Sequence, residues 1–398
     1  MSLAGTLGRT GAPPTAAAAP DLAATVFDDW AAAEPRWARL VDGPDTLPFQ
    51  RPAWLRAWYR HHAGPGCRPV VLVLSDPRSG VDLLGLPLVR TRQNGLETIS
   101  FADGGLTDYN APALGAATFS PPAPATLWQA VRHALPPADR LVWTKMPERI
   151  GERPNPVAAL PGARPSRMSG NILHVSGTWE AWLKGLERRF RKEIGRSARV
   201  FERTPDALFR RCDPGPEAER IFGDLEALQQ ARIAELGLLY GLDAEPARSF
   251  YRTVVAEGLR DGTAILTALT AGDETVAVLL GVTDGHHYAM VRLATPGAHW
   301  KHVSPGRLLI VRTMEMLHRE GFRSFDFTIG EYPYKRRLGV TQLPMVEIDR
   351  PLSWRGVPAS ALARLRAEAA RRPALRALVR KVRGPAPPDP TSEPVEAG

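Results

Sequence analysis

Along the first third of the chain, apolar residues first recur at helical spacing and then close up into short runs. Trp30, Trp37 and Leu40 are spaced for one face of a helix over Phe27–Val41. Trp54, Leu55 and Trp58 do the same for a second helix over Arg51–His61. Strand-like runs follow at Pro69–Leu74 and Leu83–Val89, flanking the turn sequence Asp76-Pro77-Arg78-Ser79-Gly80, and again at Glu97–Phe101. Beyond the polar aromatic loop Asp108-Tyr109-Asn110, the pattern predicts a helix over Ala123–Leu135 and a strand over Arg140–Thr144. Residues 146–168 hold five prolines and little apolar periodicity, so they read as an interdomain linker.

The second half opens with a strand at Ile172–Val175. Ser176-Gly177-Thr178 offers a cap for a basic helix over Trp179–Phe201. Amphipathic helices are predicted over Pro216–Leu239 and Ala247–Arg260. Three strands then run in meander order, Ala264–Thr270, Thr275–Val282 and His287–Leu293, and the tight turns between them favour antiparallel pairing. A helix from Pro305 to Glu320 ends at Gly321, where a C-cap glycine belongs, and Phe322–Ile329 reads as a strand. The two halves share an order of helices, meander, helix and strand, which suggests two similar α+β domains.

At 398 residues the chain is long enough for two domains. Its two cysteines, Cys67 and Cys212, exclude a disulfide framework and a zinc ribbon, and read as lone reduced thiols. No apolar run approaches the roughly 18–20 residues that span a bilayer. Residues 1–20 lack the apolar stretch of a signal peptide, and Gly384–Gly398 reads as a solvated tail. The net charge of +9 is local: Ala361–Arg383 carries +7 and Glu187–Arg203 carries +4. Both segments read either as solvated helical faces or as surfaces for an anionic partner.

Ser304-Pro305-Gly306-Arg307 is the most informative stretch for chemistry. Ser can cap a helix, Pro suits its first position, and Gly clears a side chain from the opening turn. Free backbone N–H groups and the helix dipole at such a start suit a phosphate, and Arg307 can add a charge-assisted contact. Asp326 alternates with Phe325 and Phe327 on a strand and points away from both rings; it pairs with an arginine, binds an acceptor amine or orients a base. Arg232 falls on the apolar stripe Leu225, Leu228, Leu236 and Leu239, so it forms an internal salt bridge or meets a substrate anion or carbonyl. Strict alternation places His286, Tyr288, Met290 and Arg292 on one strand face and His287, Ala289, Val291 and Leu293 on the other. Adjacent histidines on opposite faces do not pair, and His299 and His302 have no carboxylate close in sequence, so no metal is expected.

Together, Ser304-Pro305-Gly306-Arg307-Leu308-Leu309, Phe325-Asp326-Phe327-Thr328-Ile329-Gly330 and Tyr334-Lys335-Arg336-Arg337 closely resemble the CelD/BcsL-type acetyltransferases of the GNAT superfamily, whose domain also resembles the Fem-type transferases. Pro48-Phe49-Gln50-Arg51-Pro52-Ala53-Trp54-Leu55 and Gly85-Leu86-Pro87-Leu88 are similar to that family's N-terminal motifs, and the resemblance covers most of residues 25–350. It implies tandem GNAT-like domains, α+β, with mixed, mostly antiparallel sheets and flanking helices. It implies acetyl-CoA or another acyl-CoA as co-substrate, held at Ser304, Pro305, Gly306 and Arg307. Tyr334, Lys335 and Asp326 become the catalytic candidates: a Tyr hydroxyl can protonate a departing thiolate, and a Lys can hold a developing negative charge. Arg232, Gln229 and Arg292 become the candidates for substrate binding. The family's Leu-x-x-Leu-His-x-x-Arg-Trp helix appears here as Leu225 to Ile233, with Gln229 in place of the histidine and Ile233 in place of the tryptophan.

The expected organisation is a tail over 1–20, an N-terminal domain over 21–145, a linker over 146–169, a C-terminal domain over 170–355, a basic helical segment over 356–383 and a tail over 384–398. The expected reaction is N-acyl transfer to an amine, of the kind found in an amino sugar or an envelope or polysaccharide precursor. The resemblance implies cytoplasmic work, with segment 361–383 offered to an anionic membrane surface. A Fem-like transferase using charged tRNA and a non-catalytic scaffold are the alternatives. The interrupted basic cluster at 188–203 argues against nucleic acid, and favours acyl-CoA over tRNA.

Overall fold

The computed structural model describes residues 22–43, 46–115, 122–237, 241–242, 244–330 and 332–371. The expected tails at 1–20 and 384–398, Leu239, and the basic segment beyond 371 lie outside the described residues.

A 13-stranded sheet runs through the protein. From one edge to the other its strands are Ala23–Phe27, Cys67–Ser75, Asp82–Gln93, Leu96–Phe101, Arg140–Pro147, Thr341–Pro351, Arg164–His174, Ser324–Asp326, His287–Ala294, Glu274–Thr283, Ala264–Ala271 and Ala207–Arg211, while the short Ala113–Leu114 pairs with Asp82–Gln93. Neighbours are antiparallel except at two places: Leu96–Phe101 beside Arg140–Pro147, and His287–Ala294 beside Ser324–Asp326. A helix connects each parallel pair, Pro124–Ala134 in the first half and Pro305–Arg319 in the second. The sequence of meander, helix and parallel strand therefore occurs twice in one sheet.

Two central strands stitch the halves together. Thr341–Pro351 pairs with Arg140–Pro147 on one side and with Arg164–His174 on the other. The strand Arg164–His174 begins inside the stretch expected as a linker, which also holds a small hairpin and a 3-10 turn. The prolines of that stretch sit at strand ends and at the turn, where no ladder N–H is needed.

Helices cover both faces. On one, the helices Trp30–Leu40 and Pro52–His62 share a single core with Pro216–Leu236 and Ala247–Asp261 from the second half. Trp54 meets Phe250 edge-on at 4.8 Å, and His61 bonds Thr253 at 2.8 Å. On the other face Arg188–Glu202 and Pro305–Arg319 pack over the second half, and Pro124–Ala134 packs over the first.

Some elements differ from expectation. The basic helix is two helices, Trp179–Gly185 and Arg188–Glu202, broken where Leu186 takes an extended conformation. The break lets Trp179 and Phe190 reach the same core. Thr178 caps the first helix by accepting from the Ala181 N–H. The predicted strand Phe322–Ile329 is paired only over Ser324–Asp326. The strands Ala23–Phe27, Ala207–Arg211 and Thr341–Pro351 carry too little apolar alternation to announce themselves.

Candidate active site

The parallel strands His287–Ala294 and Ser324–Asp326 are paired through three residues only, His287 with Ser324, Tyr288 with Phe325 and Ala289 with Asp326. Beyond Ala289 no pairing joins them. Just past that point His287–Ala294 bulges against its other neighbour: Gly281 pairs with Met290 and Leu280 with Arg292, so Val291 is an extra residue without an opposite number. The end of the paired region, the bulge and the start of Pro305–Arg319 are thus contributed by one stretch of chain.

The bulge also corrects one expectation. Strict alternation put Arg292 on the face of Tyr288 and Met290. The extra residue reverses the alternation, and Arg292 lies in the core of the opposite face, over the rings of Tyr251 at 4.8 Å and Phe222 at 5.7 Å. There Gln229 accepts from Arg292 Nε at 2.9 Å and from its Nη2, while Gln229 Nε2 donates to the Leu293 carbonyl at 3.2 Å. Gln229 and Arg292 are thus brought together, both buried. Arg232 is not with them. It is part-exposed and pairs with Glu235 one turn along its own helix at 3.3 Å. The buried acid of that helix is Glu226, held by Arg248 and Arg252.

At the helix start, Ser304 adopts a left-handed conformation (φ 48°) and no side chain caps the first turn. Pro305 and Gly306 are buried. Arg307 Nη2 donates to Ser304 Oγ at 3.0 Å and Nη1 to Glu193 at 3.4 Å, whereas its buried Nε has no hydrogen-bond partner among the described residues. Arg307 and Arg337 both lie over the Phe190 ring, and Glu193 also pairs with Arg337 at 3.0 Å. The hydrogen bond from Arg337 holds the Glu193 carboxyl below its ordinary range despite partial burial. The four residues expected to hold a phosphate, Ser304 to Arg307, thus lie at the helix start with the Arg337 guanidinium beside that of Arg307.

The loop that follows Ser324–Asp326 is held by several buried hydrogen bonds. Thr328, a β-branched residue, sits at φ 55°. Lys335 holds it there. The residue is buried, on the short helix Pro333–Arg337 rather than in an exposed loop, and its ammonium donates to the carbonyls of Phe327 at 2.7 Å and of Ile329 and Gly330 at 3.0 Å. Asn171 adds bonds to the Thr328 and Gly330 carbonyls at 2.8 and 2.9 Å. Tyr334 is half-buried, stacked on Tyr332 with ring centroids 6.0 Å apart, and packs on Phe327.

Asp326 leaves the strand on the opposite face from Phe325 and Phe327. It accepts from the Tyr109 hydroxyl at 2.7 Å and from the Thr328 N–H at 2.6 Å. Burial pushes its carboxyl up to about 7, against the lowering effect of the Tyr109 bond. Asp108 stands beside it near Thr328, and burial pushes its carboxyl up to about 6. Gly170 makes room for Tyr109, since a Cβ there would run into the phenol oxygen. The Asp108–Asn110 loop is pinned in turn: Gln50 donates to the Tyr109 carbonyl at 3.0 Å, Asn110 to the Thr144 carbonyl at 3.0 Å, and Lys145 bridges Asp103 at 3.0 Å and the Thr107 carbonyl at 2.8 Å. Neither Asp108 nor Tyr109 stood out in the sequence as a site residue. Their only signal was a polar aromatic triplet in a loop.

The three catalytic candidates are thus placed differently. Asp326 faces the first half, Tyr334 the opposite side of the same strand end, and Lys335 binds the loop between them. Asp284 holds His287 by a 2.9 Å bond to Nδ1, which raises the imidazole. Among the described residues no group of three or more His, Cys, Asp or Glu side chains could hold a metal ion. Among them, too, no helix is long and apolar enough to cross a membrane.

This architecture, a meander followed by a helix and a parallel strand with a bulge beside their junction, is the α+β fold of the GNAT superfamily. Residues 188–336 match the family described as "Acetyltransferase (GNAT) domain". Among solved structures, FemX superposes with a TM-score of 0.55 at 11% identity, over 79% of this chain and 95% of its own. The C-terminal domain of an Agrobacterium fabrum protein assigned as a lysylphosphatidylglycerol synthetase gives 0.50 at 12% identity, over 86% and 97%. A tandem GNAT protein from the clavulanic acid biosynthesis pathway gives 0.46 at 14% identity, over 84% and 99%. No curated protein matches the chain in sequence.

Proposed function

We propose that this chain is an N-acyltransferase that takes an acyl group from acyl-CoA, acetyl-CoA first among them, and passes it to an amine. The observation that carries the reading is the start of helix Pro305–Arg319: an uncapped first turn with a buried glycine, next to Arg307, whose buried Nε lacks a partner among the described residues. Uncapped N–H groups at a helix start favour phosphate, and a guanidinium adds charge-assisted bonds. Ser304, Pro305, Gly306 and Arg307 hold the donor's pyrophosphate in this reading. The bound donor supplies an activated thioester carbonyl.

The chain's own groups do the rest. The backbone at the Val291 bulge stabilises negative charge that develops on the carbonyl oxygen, a role that needs N–H groups rather than a particular side chain. Tyr334 delivers a proton to the leaving sulfur. Asp326, poised near neutrality, takes a proton from the neutral amine as its nitrogen bonds to the carbonyl carbon and the carbon–sulfur bond breaks; Lys335 keeps the loop that presents Asp326 in one conformation. The order of motifs along the chain supports a CelD/BcsL-type enzyme acting on an amino sugar or an envelope precursor, on the cytoplasmic side of the membrane.

Calorimetry with acetyl-CoA tests the donor site. Gly306→Glu and Arg307→Ala should each weaken binding by roughly ten- to a hundredfold, the weight of one or two charge-assisted bonds. Both variants should keep the parent's circular dichroism spectrum, while Gly306→Glu, at a buried position, should melt at a lower temperature. Unchanged affinity in both folded variants would remove the phosphate site from this helix.

A further inference from the structure

Eight large apolar side chains are exposed among the described residues, and four of them fall between positions 354 and 365. Trp354 is 82% exposed, Leu365 67%, Val357 50% and Leu362 47%. The other four, Val26, Val81, Met168 and Leu208, are scattered over separate elements, as single exposed apolar residues normally are. The concentration is therefore local and needs its own account.

Trp354 lies in a 3-10 turn that leads directly into the helix Val357–Arg371. That helix buries Ser360 and half-buries Ala359, Ala363 and Ala367, and it packs by this face on the strand Thr341–Pro351. Val357, Ala361 and Leu365 stand four residues apart on the opposite side, with Leu362 next to them. Arginines surround the apolar strip. Arg366 is exposed; Arg364 reaches back to the Asp349 carbonyl at 3.4 Å; Arg355 bonds the Gly95 carbonyl at 2.8 Å and faces Asp139 at 3.5 Å while half its side chain stays exposed. Glu368 is the one acid between residues 353 and 371, against four arginines, so the segment carries +3.

We infer that this face is a membrane-docking surface for anionic lipid. Its chemistry selects that partner over the alternatives. A tryptophan and leucines on the outward strip, bordered by arginines whose long stems can run along apolar material while their heads stay with lipid phosphates, is the make-up of a helix that lies in the bilayer interface. A second copy of the chain would bring the same arginines against each other and would leave like charges facing across the contact. An anionic headgroup layer neutralises them instead. Docking by this face would hold the sheet against the membrane through Thr341–Pro351, the strand that joins the two halves.

The test uses the full chain and vesicles of phosphatidylcholine, with and without phosphatidylglycerol, in a sedimentation assay. The parent should sediment with the anionic vesicles only, and less as salt rises. A Trp354→Ser/Leu365→Ser double variant should bind at least about tenfold more weakly. Both positions are exposed, so its melting temperature should match the parent's. Failure of the parent to bind anionic vesicles at low salt, or equal binding by the folded double variant, would overturn the inference. A molar mass by light scattering that falls in the variant while neither protein meets vesicles would assign the face to a second copy instead.

Discussion

The Tyr109 hydroxyl donates to the Asp326 carboxylate at 2.7 Å, joining a loop of the first half to a strand end of the second across 217 positions of sequence. One bond thus ties the acid proposed to take the amine proton to the other half of the molecule. Tyr109→Phe removes the donor and leaves the burial. The Asp326 carboxyl should rise further, and the alkaline shift should appear in the pH–rate profile, with a stability loss of about 1–3 kcal/mol. Gly170→Ala, which pushes on the same phenol, should reproduce the shift. A profile unmoved in both variants would separate Asp326 from the rate.

The contribution of Asp326 to stability should fall as pH rises through the acidic range, opposite to that of the lowered carboxyls of Glu193 and Asp284. An aspartate in an unfolded chain titrates near 3.9, whereas Asp326 in the fold titrates at about 7. Between these values the folded chain holds a proton that the unfolded chain has released. The gain is complete below pH about 4 and is gone above about 7. Asp108, raised to about 6, acts in the same direction. Urea titrations from pH 4 to 8 should give a shallower slope for Asp326→Asn than for the parent; identical slopes would mean that Asp326 ionises freely.

Lys335→Met keeps the stem of the side chain and removes the ammonium. The carbonyls of Phe327, Ile329 and Gly330 then lose a buried donor, at about 1–3 kcal/mol for each one left unsatisfied. Release of the Thr328 strain offsets part of this. The turnover number should drop more than the affinity for acyl-CoA, because the helix start at Ser304 is untouched. An equal loss in both would mean that Lys335 contacts the donor.

Two residues of one helix should separate cleanly on thermal melts. Gln229→Leu takes away the oxygen that accepts from Arg292 Nε and Nη2 inside the core, and should cost about 2–3 kcal/mol, the scale of a hydrogen bond lost by a buried charged donor. Arg232→Ala removes a part-exposed ion pair with Glu235 and should stay within about 1 kcal/mol of the parent. A large effect of Arg232→Ala would place its side chain in the core after all.

The legible parts of this fold are those whose signal is local. The second-half meander and the helix Pro305–Arg319 follow from apolar runs and end signals, and the structure places them within a few residues of the reading. Thr341–Pro351 has no such signal. It is half polar and contains Pro344, and it is a strand because two partners flank it. The position of Arg292 depends on one extra residue in a ladder, and period-two alternation cannot see a bulge. Asp326 was readable as a buried strand acid, but Tyr109 and Asp108 were not, because their partners are brought close only by packing between the halves. Lys335 was readable as a basic residue near the strand end; that it is buried and spent on carbonyls follows from the left-handed turn at Thr328, which nothing in the local sequence announces.

The choice of donor tests the central claim most directly. Purified protein should be titrated in parallel with acetyl-CoA and with total aminoacylated tRNA, each at low and at moderate salt. A pyrophosphate site at Ser304–Arg307 predicts saturable acetyl-CoA binding that persists at moderate salt and is lost in Gly306→Glu, with only weak, salt-labile association of tRNA. Tight tRNA binding with a steep salt dependence, and no binding of any acyl-CoA, would contradict the account and move the donor site to the arginines of Arg188–Glu202.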